Sequence, residues 1–310
     1  MSLRKCLWVI TVLLCAFLLN GGTSVASEKI VLLISLEEAP FKQTVAGFNE
    51  YLTKQGIQAS YEMYSLEGDS ARVGPAIQKI KQSNAKLVFA LGSLATDAAL
   101  RELPDIPIVA GLVLRTDNLK QKANATGVGL EFPLETQFEW MRRFLPQAHT
   151  IGVIYNPEEN QKRIDSAARI AKKQGLRLAA QQIHEPQDVP AALNNLSKGA
   201  DVLWGVADSL ALSPQIAKNI LLFSFRNSIP FVGPSSTWAK AGALYSLDWD
   251  YADLGAQCGE MAHKVLTGAL PSSIPVEMPR KVMYSVNLFT ARQLKISLPD
   301  DLVRGALHTY

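Results

Sequence analysis

One design occurs twice along the chain, and this repeat limits the possible folds more than any other feature. Residues 29–36 form an apolar run of strand length (Ile30, Val31, Leu32, Leu33, Ile34), and residues 40–55 follow with Phe41, Val45, Phe48 and Leu52 at helical spacing. Gly56 stops that helix, and residues 57–64 alternate as a second strand. The order then recurs as strand 150–155, helix 160–174, a stop at Gly175 and strand 176–183. Even the junctions agree: Lys54-Gln55-Gly56-Ile57 answers to Lys173-Gln174-Gly175-Leu176. Ala85-Lys86-Leu87-Val88 answers to Ala200-Asp201-Val202-Leu203, and Ile106-Pro107-Ile108-Val109 to Ile229-Pro230-Phe231-Val232. The offsets are 119, 115 and 123 residues, a drift that loop insertions produce. Alternating strands and helices of this kind imply parallel sheets flanked by helices, with right-handed crossovers. The expected fold is therefore α/β, with two doubly wound lobes and no Pro-, Gly- or Ser-rich linker between them.

Residues 1–26 stand outside that pattern. Arg4 and Lys5 precede fourteen residues, Cys6 through Leu19, of which only Thr11 is polar, and Gly21, Gly22, Ser24 and Ala26 supply a small-residue cleavage region. This is the layout of a secretory signal peptide. Its apolar run is shorter than the roughly 20 residues that a membrane span needs. Cleavage after Ala26 is expected, and because Leu14 precedes Cys15 no lipid anchor is expected. The 284 residues that remain carry 29 basic and 28 acidic side chains. No Lys/Arg run exceeds a pair such as Arg142-Arg143, which argues against nucleic acid as a partner. With 48% hydrophobic residues the chain has ample material for a core. Cys258 is then the sole cysteine of an exported protein, so it has no internal disulfide partner. Its spacing from Leu254, Met261, Ala262 and Val265 places it on a buried helix face.

Open parallel sheets bind ligands beyond the carboxyl ends of their strands. Two facing sheets make a cleft, whose candidate loops here are 37–41, 92–96 and 112–116 in the first half and 155–160, 207–210 and 233–237 in the second. Ser93, Ala95 and Thr96 open a helix after the apolar strand 87–91, with Ser93 expected at its N-cap; free N–H groups there bind anions, or the helix caps itself. Asp208 follows the apolar strand 202–206 and either receives a ligand ammonium or serves as a cap or lysine partner. Asn156, Ser235 and Ser236 offer neutral hydrogen bonds, or are ordinary turn residues. Phe41, Tyr155 and Trp238 are candidate walls for an apolar or aromatic ligand, with core packing the alternative for Phe41. Trp204, inside a strand, is expected in the core, and Glu37 and Glu38 are expected as solvated charges.

Enzymatic chemistry finds little support. The four histidines, His149, His184, His263 and His308, are scattered without metal-ligand spacing. No G-x-S-x-G elbow, no G-x-x-x-x-G-K-[ST] loop and no G-x-G-x-x-G after the first strand occurs. No cofactor is expected.

Several segments resemble the periplasmic substrate-binding proteins of ABC transporters, in the branch that contains TrpX-type tryptophan-binding proteins. They are KQTVAGFNEYL from Lys42, ALGSLATDAAL from Ala90, Thr126-Gly127-Val128, GVIYNP from Gly152, Ala207-Asp208-Ser209, DYADLG from Asp250, Val286-Asn287-Leu288, Thr290-Ala291 and Leu298-Pro299. Their order and spacing cover nearly all of residues 29–306. Two loops differ from the family pattern: Ser209 follows Asp208 where Asn is common, and GPSSTW occupies residues 233–238. The resemblance implies a type I periplasmic-binding fold whose lobes are joined by three crossings and close over a ligand by hinge motion. It places the crossings near residues 127–132, 247–250 and 276–280. One lobe then comprises residues 27–128 and 249–277, the other 129–248 and 278–310. The implied function is that of a monomeric, non-enzymatic, extracytoplasmic protein that delivers a small molecule to a membrane permease, with apolar or aromatic amino acids as candidate ligands. The alternative is a periplasmic ligand-sensing subunit for a membrane signalling protein.

Overall fold

A computed structural model describes residues 27–114 and 116–310; the signal-peptide expectation, with Cys6 and Cys15, lies outside the described residues. The first sheet contains β1 (Glu28–Ile34), β2 (Ala59–Ser65), β3 (Leu87–Leu91), β4 (Ile108–Val113) and β5 (Ala125–Gly129), in the order β2-β1-β3-β4-β5 and parallel throughout. The second contains β6 (Thr150–Tyr155), β7 (Arg177–Gln182), β8 (Val202–Trp204), β9 (Phe231–Gly233), β10 (Tyr245–Trp249), β11 (Val282–Val286) and β12 (His308–Thr309), in the order β12-β11-β10-β9-β8-β6-β7. Its segment β7-β6-β8-β9-β10 repeats the topology of the first sheet strand for strand. The repeat read from sequence is thus a repeat of architecture.

Every residue of β3, β4, β5 and β6 is buried, as expected for strands covered by helices on both faces. The helices of the first lobe are α1 (Ala39–Lys54), α2 (Val73–Gln82), α3 (Ser93–Glu102) and the single turn α4 (Asp117–Lys120). Those of the second include α5 (Leu134–Phe144), α6 (Pro157–Lys173), α7 (Val189–Leu196), α8 (Pro214–Asn227) and α9 (Ser236–Ala241). Gly56 and Gly175 end α1 and α6 in the same way, with φ of 74° and 75°. In each case the next residue donates to a carbonyl five positions back, Ile57 to Leu52 and Leu176 to Ala171.

After β5 the chain leaves the first sheet for α5. It leaves the second at Asp250 to form α10 (Tyr251–Leu266), which packs along α1, and returns to β11 after an isolated bridge between Val128 and Glu277. Because β10 exits and β11 arrives at the same end of the sheet, β11 must run antiparallel to β10, and it does. The all-parallel expectation therefore fails at this strand. Two short helices, α11 (Leu288–Gln293) and α12 (Asp300–Arg304), complete the second lobe.

The contact between α1 and α10 depends on glycine. A Cβ on Gly255 would lie 2.0 Å from the Thr44 carbonyl oxygen, and one on Gly47 2.0 Å from that of Ala252. This close approach buries Phe48, Leu52, Leu254 and Cys258 against the first sheet. Cys258 is fully buried with its Sγ 3.6 Å from the Ala110 carbonyl oxygen, and burial pushes its thiol pKa up, so it is a structural thiol.

Candidate functional site

In the first lobe the carboxyl ends of β1, β3 and β4 converge on the start of α3. The N-cap is Gly92, with φ 83°, so Ser93 is the first helical residue and not the cap expected from sequence. The capping hydroxyl comes from Ser35, directly after β1: its Oγ accepts the Ala95 N–H at 3.0 Å. A side chain at residue 92 would meet that Oγ at 2.7 Å and the Phe41 ring at 3.1 Å, so glycine is required there on two counts. The Thr96 N–H is used by the Gly92 carbonyl, and the buried Thr96 hydroxyl faces the Ala90 carbonyl at 3.5 Å. Ala95 and Thr96 are therefore framework. Among the described residues no protein acceptor meets the N–H groups of Ser93 or Leu94, and the Ser93 side chain is exposed. Positive partial charge at this helix start is thus available to an anion.

Phe41 lies half-buried beside Gly92 and packs against the cluster that includes Tyr251. Leu112 adopts a left-handed φ of 56° where the β4–β5 register shifts, and Leu114 beyond it is 59% exposed. An open apolar side chain thus stands at the carboxyl end of β4. Glu37 and Glu38 are exposed.

The second lobe contributes the ends of β6, β8, β9 and β10. Asp208 is buried, and its carboxylate is fully engaged. Oδ2 accepts the Asn156 N–H at 2.7 Å and Asn160 Nδ2 at 2.9 Å, while Oδ1 accepts the N–H groups of Leu210 at 3.1 Å and Ala211 at 2.8 Å. A carboxylate offers about four acceptor positions, and all four are filled by protein. Its observed work is to lock the 207–211 loop to the start of α6. Asn156 caps α6, its Oδ1 accepting the Glu158 N–H at 3.1 Å. Tyr155, considered as a ligand wall, is 3% exposed, and its hydroxyl bonds Gln161 and Gln182, so it belongs to the core. Trp238 stands edge-on to Phe231 at 5.5 Å and packs on the core behind β9. Trp204 is core as expected, its Nε1 donating to Gln137 at 3.1 Å. Ser235 occupies the N-cap position of α9 in extended geometry without a side-chain capping bond, and the Ser236 N–H reaches Asp248 Oδ1 at 3.4 Å.

Two charged groups at this edge were not singled out from sequence. Asp248, within β10, is 6% exposed; its Oδ2 accepts the Ser285 hydroxyl at 2.8 Å and lies 3.5 Å from that of Ser246. Burial raises its pKa from the ordinary aspartate value, against the opposing hydrogen bonds of Ser285 and Ser236. Arg163 on α6 pairs with Glu131 and sits 5.6 Å above the Trp204 ring; burial lowers its pKa to about 10. The signal for Asp248 was a carboxylate inside an otherwise strand-forming run.

Hydrogen bonds and ion pairs join the two lobes at the crossings. The Gly129 N–H donates to the Glu277 carbonyl, Arg280 grips Asp253 and Glu260, and Lys281 pairs with Asp250. No group of three or more His, Cys, Asp or Glu is placed to hold a metal ion, and no helix is long and apolar enough to cross a membrane, among the described residues.

The family model for ABC transporter substrate binding protein matches residues 29–309. The chain belongs to the ABC transporter substrate-binding protein family. A tyrosine-binding protein of Clostridioides difficile (strain R20291) is 28% identical, the match covering 89% of this chain and 83% of that protein. The ligand-free, open structure of a substrate binding protein with adhesive properties from Clostridium difficile is 25% identical, with a TM-score of 0.77 and coverage of 91% and 98%. An ABC domain from Streptococcus pneumonia in complex with L-Trp is 20% identical, with a TM-score of 0.63 and coverage of 92% and 100%. The two-lobed fold is that of type I periplasmic binding proteins, and this substrate-binding protein bears out the resemblance carried by its motifs.

Proposed function

We propose that this substrate-binding protein is exported by a cleaved signal peptide, receives an aromatic or apolar amino acid between its lobes and delivers it to an ABC permease. The observation that carries the amino-acid reading is the start of α3, where two unsatisfied N–H groups and the exposed Ser93 hydroxyl suit a ligand carboxylate. Phe41 and Leu114 supply apolar surface on the same lobe, and Asn156, Ser235 and Ser236 supply neutral polar groups opposite. Ala95, Thr96 and Tyr155 hold the frame from behind, and Asp208 holds the 207–211 loop. The tyrosine-binding relative and the L-Trp complex support this choice of ligand class. Closure follows because a ligand that touches both lobes binds the closed state better than the open one.

Mass spectrometry of the ligand that co-purifies with the protein, followed by thermal shifts across an amino-acid panel, tests the proposal. A ligand at a hundred times its Kd stabilises by about 2.7 kcal/mol. A flat panel refutes the amino-acid reading. Intact mass of the exported protein tests processing: a chain that begins near Ser27 without added lipid is expected, and retention of residues 1–26 refutes export by cleavage.

A further inference from the structure

We propose that Asp248 receives the positive charge of the ligand, so that the cleft selects molecules bearing an ammonium; this deepens the amino-acid reading above and rests on it. Asp248 lies one residue from the carboxyl end of β10, next to the Ser235–Ser236 turn and two residues before Asp250, where the chain leaves for the first lobe. It is therefore at the ligand-binding edge of the second sheet and beside the hinge.

Its partners are too few and too weak for a buried carboxylate. The Ser285 hydroxyl at 2.8 Å is a full hydrogen bond, whereas the Ser236 N–H at 3.4 Å and the Ser246 hydroxyl at 3.5 Å are at the limit of one. All three are neutral, and among the described residues no lysine, arginine or histidine forms an ion pair with it. Asp208 shows the contrast: four donors within 3.1 Å leave that carboxylate nothing to offer. Burying a carboxylate without a cation costs several kcal/mol, so a cation arriving there gains most of what the empty protein lacks.

Tyr251 is the aromatic residue that faces Asp248, while Phe132 and Trp249 pack on the other face of β10 against the second-lobe core. Phe132 stacks on Trp249 at 5.5 Å, and Trp249 lies 6.3 Å from Tyr251, whose phenol pKa is raised by burial and then by the Asp248 charge. This aromatic row runs beside the hinge from the first crossing to the start of α10. The groups facing Asp248 are thus Ser236, Ser246, Ser285, Tyr251 and, at longer range, His308.

The test compares L-tyrosine and L-tryptophan with their desamino counterparts, 3-(4-hydroxyphenyl)propionate and indole-3-propionate, by calorimetry on the mature protein. The parent should prefer the amino acids by about a hundredfold, as expected when a buried charge pair is lost. Asp248→Asn should weaken amino-acid binding by about that factor and leave desamino binding within about threefold, so that the preference collapses. Preserved desamino binding also shows that the variant is folded. A preference that survives Asp248→Asn overturns the proposal, as does a parent that binds desamino acids as tightly as amino acids. If Asp248→Asn and Asp248→Ser both lose desamino binding as well, Asp248 is structural and the proposal falls. A parent that binds no amino acid at all overturns the amino-acid reading first, a result distinct from these.

Discussion

Substituting Gly255 by Ala should destabilise the first lobe and blunt ligand binding without touching the cleft. The new methyl would sit 2.0 Å from the Thr44 carbonyl oxygen and 2.9 Å from the Phe48 nitrogen, both backbone atoms of α1. Contact distances near 3.3 Å require α1 and α10 to separate by roughly 1 Å, because no flexible side chain is available to yield. Phe48, Leu52, Leu254 and Cys258, all essentially fully buried, then lose packing against one another. Overpacking typically costs 1–3 kcal/mol, and an immovable backbone obstacle puts this case at about 3 kcal/mol. For a chain of this size that lowers Tm by roughly 6–12 °C. The displacement also moves Phe41 at the start of α1 relative to Tyr251 at the start of α10, so affinity should fall as well. Gly74, a helical glycine with nothing within 4 Å of a built Cβ, is the control: Gly74→Ala should raise stability by about 0.4–1 kcal/mol. Calorimetric melts of the two variants measure the contrast, and a Gly255→Ala protein that melts with the parent refutes the reasoning.

Ser35→Ala leaves the buried Ala95 N–H without its acceptor and should cost about 1–3 kcal/mol in a denaturant melt, with weaker ligand binding; no change would show that water replaces the hydroxyl. Asp208→Asn turns an NH2 group toward at least one pair of N–H donors and should cost about 3 kcal/mol, with faster hydrogen exchange at Leu210 and Ala211; unchanged exchange there refutes the loop-clamp role.

Most of the fold was legible because it is written in local signals. The apolar strands, the helical spacing of residues 40–55 and the matched stops at Gly56 and Gly175 each act within a few residues, and each reappears in the structure. Misreadings arise where a partner is distant in sequence. The α3 start was assigned its own serine cap, but the hydroxyl comes from Ser35, sixty residues earlier, which frees Gly92 to take the positive φ of the tight turn. For Asp208 the sequence leaves a ligand contact or a cap open; the capping alternative is the one seen, and Asn156 and Asn160, which fill Oδ2, lie about fifty residues upstream. Tyr155 is a candidate wall because its strand ends at the cleft, yet two glutamines hold its hydroxyl in the core. β11 reversed the expected parallel order for a topological reason that no local pattern encodes.

The pH response of the empty protein separates the roles of the two second-lobe carboxylates. The Asp248 pKa is raised by burial, so between its unfolded value and its folded value the native state binds more protons than the unfolded chain. Stability from this group is therefore present at low pH and is lost as pH rises through the folded value, opposite in sign to an ion-paired carboxylate. Asp248→Asn removes the buried charge while keeping its shape, so the empty variant should melt above the parent at neutral pH, with the difference shrinking as pH falls through the folded value of Asp248. The same substitution weakens amino-acid binding, because the uncompensated charge is what the ammonium relieves. A ligand cation at Asp248 lowers its pKa, so binding at a pH within the titration range should release a fraction of a proton, measurable as buffer-dependent calorimetric heat. Heat independent of buffer across that range, together with an Asp248→Asn variant that melts below the parent at neutral pH, would mean that Asp248 is satisfied in the empty protein, and the argument for a ligand-compensated charge would fail.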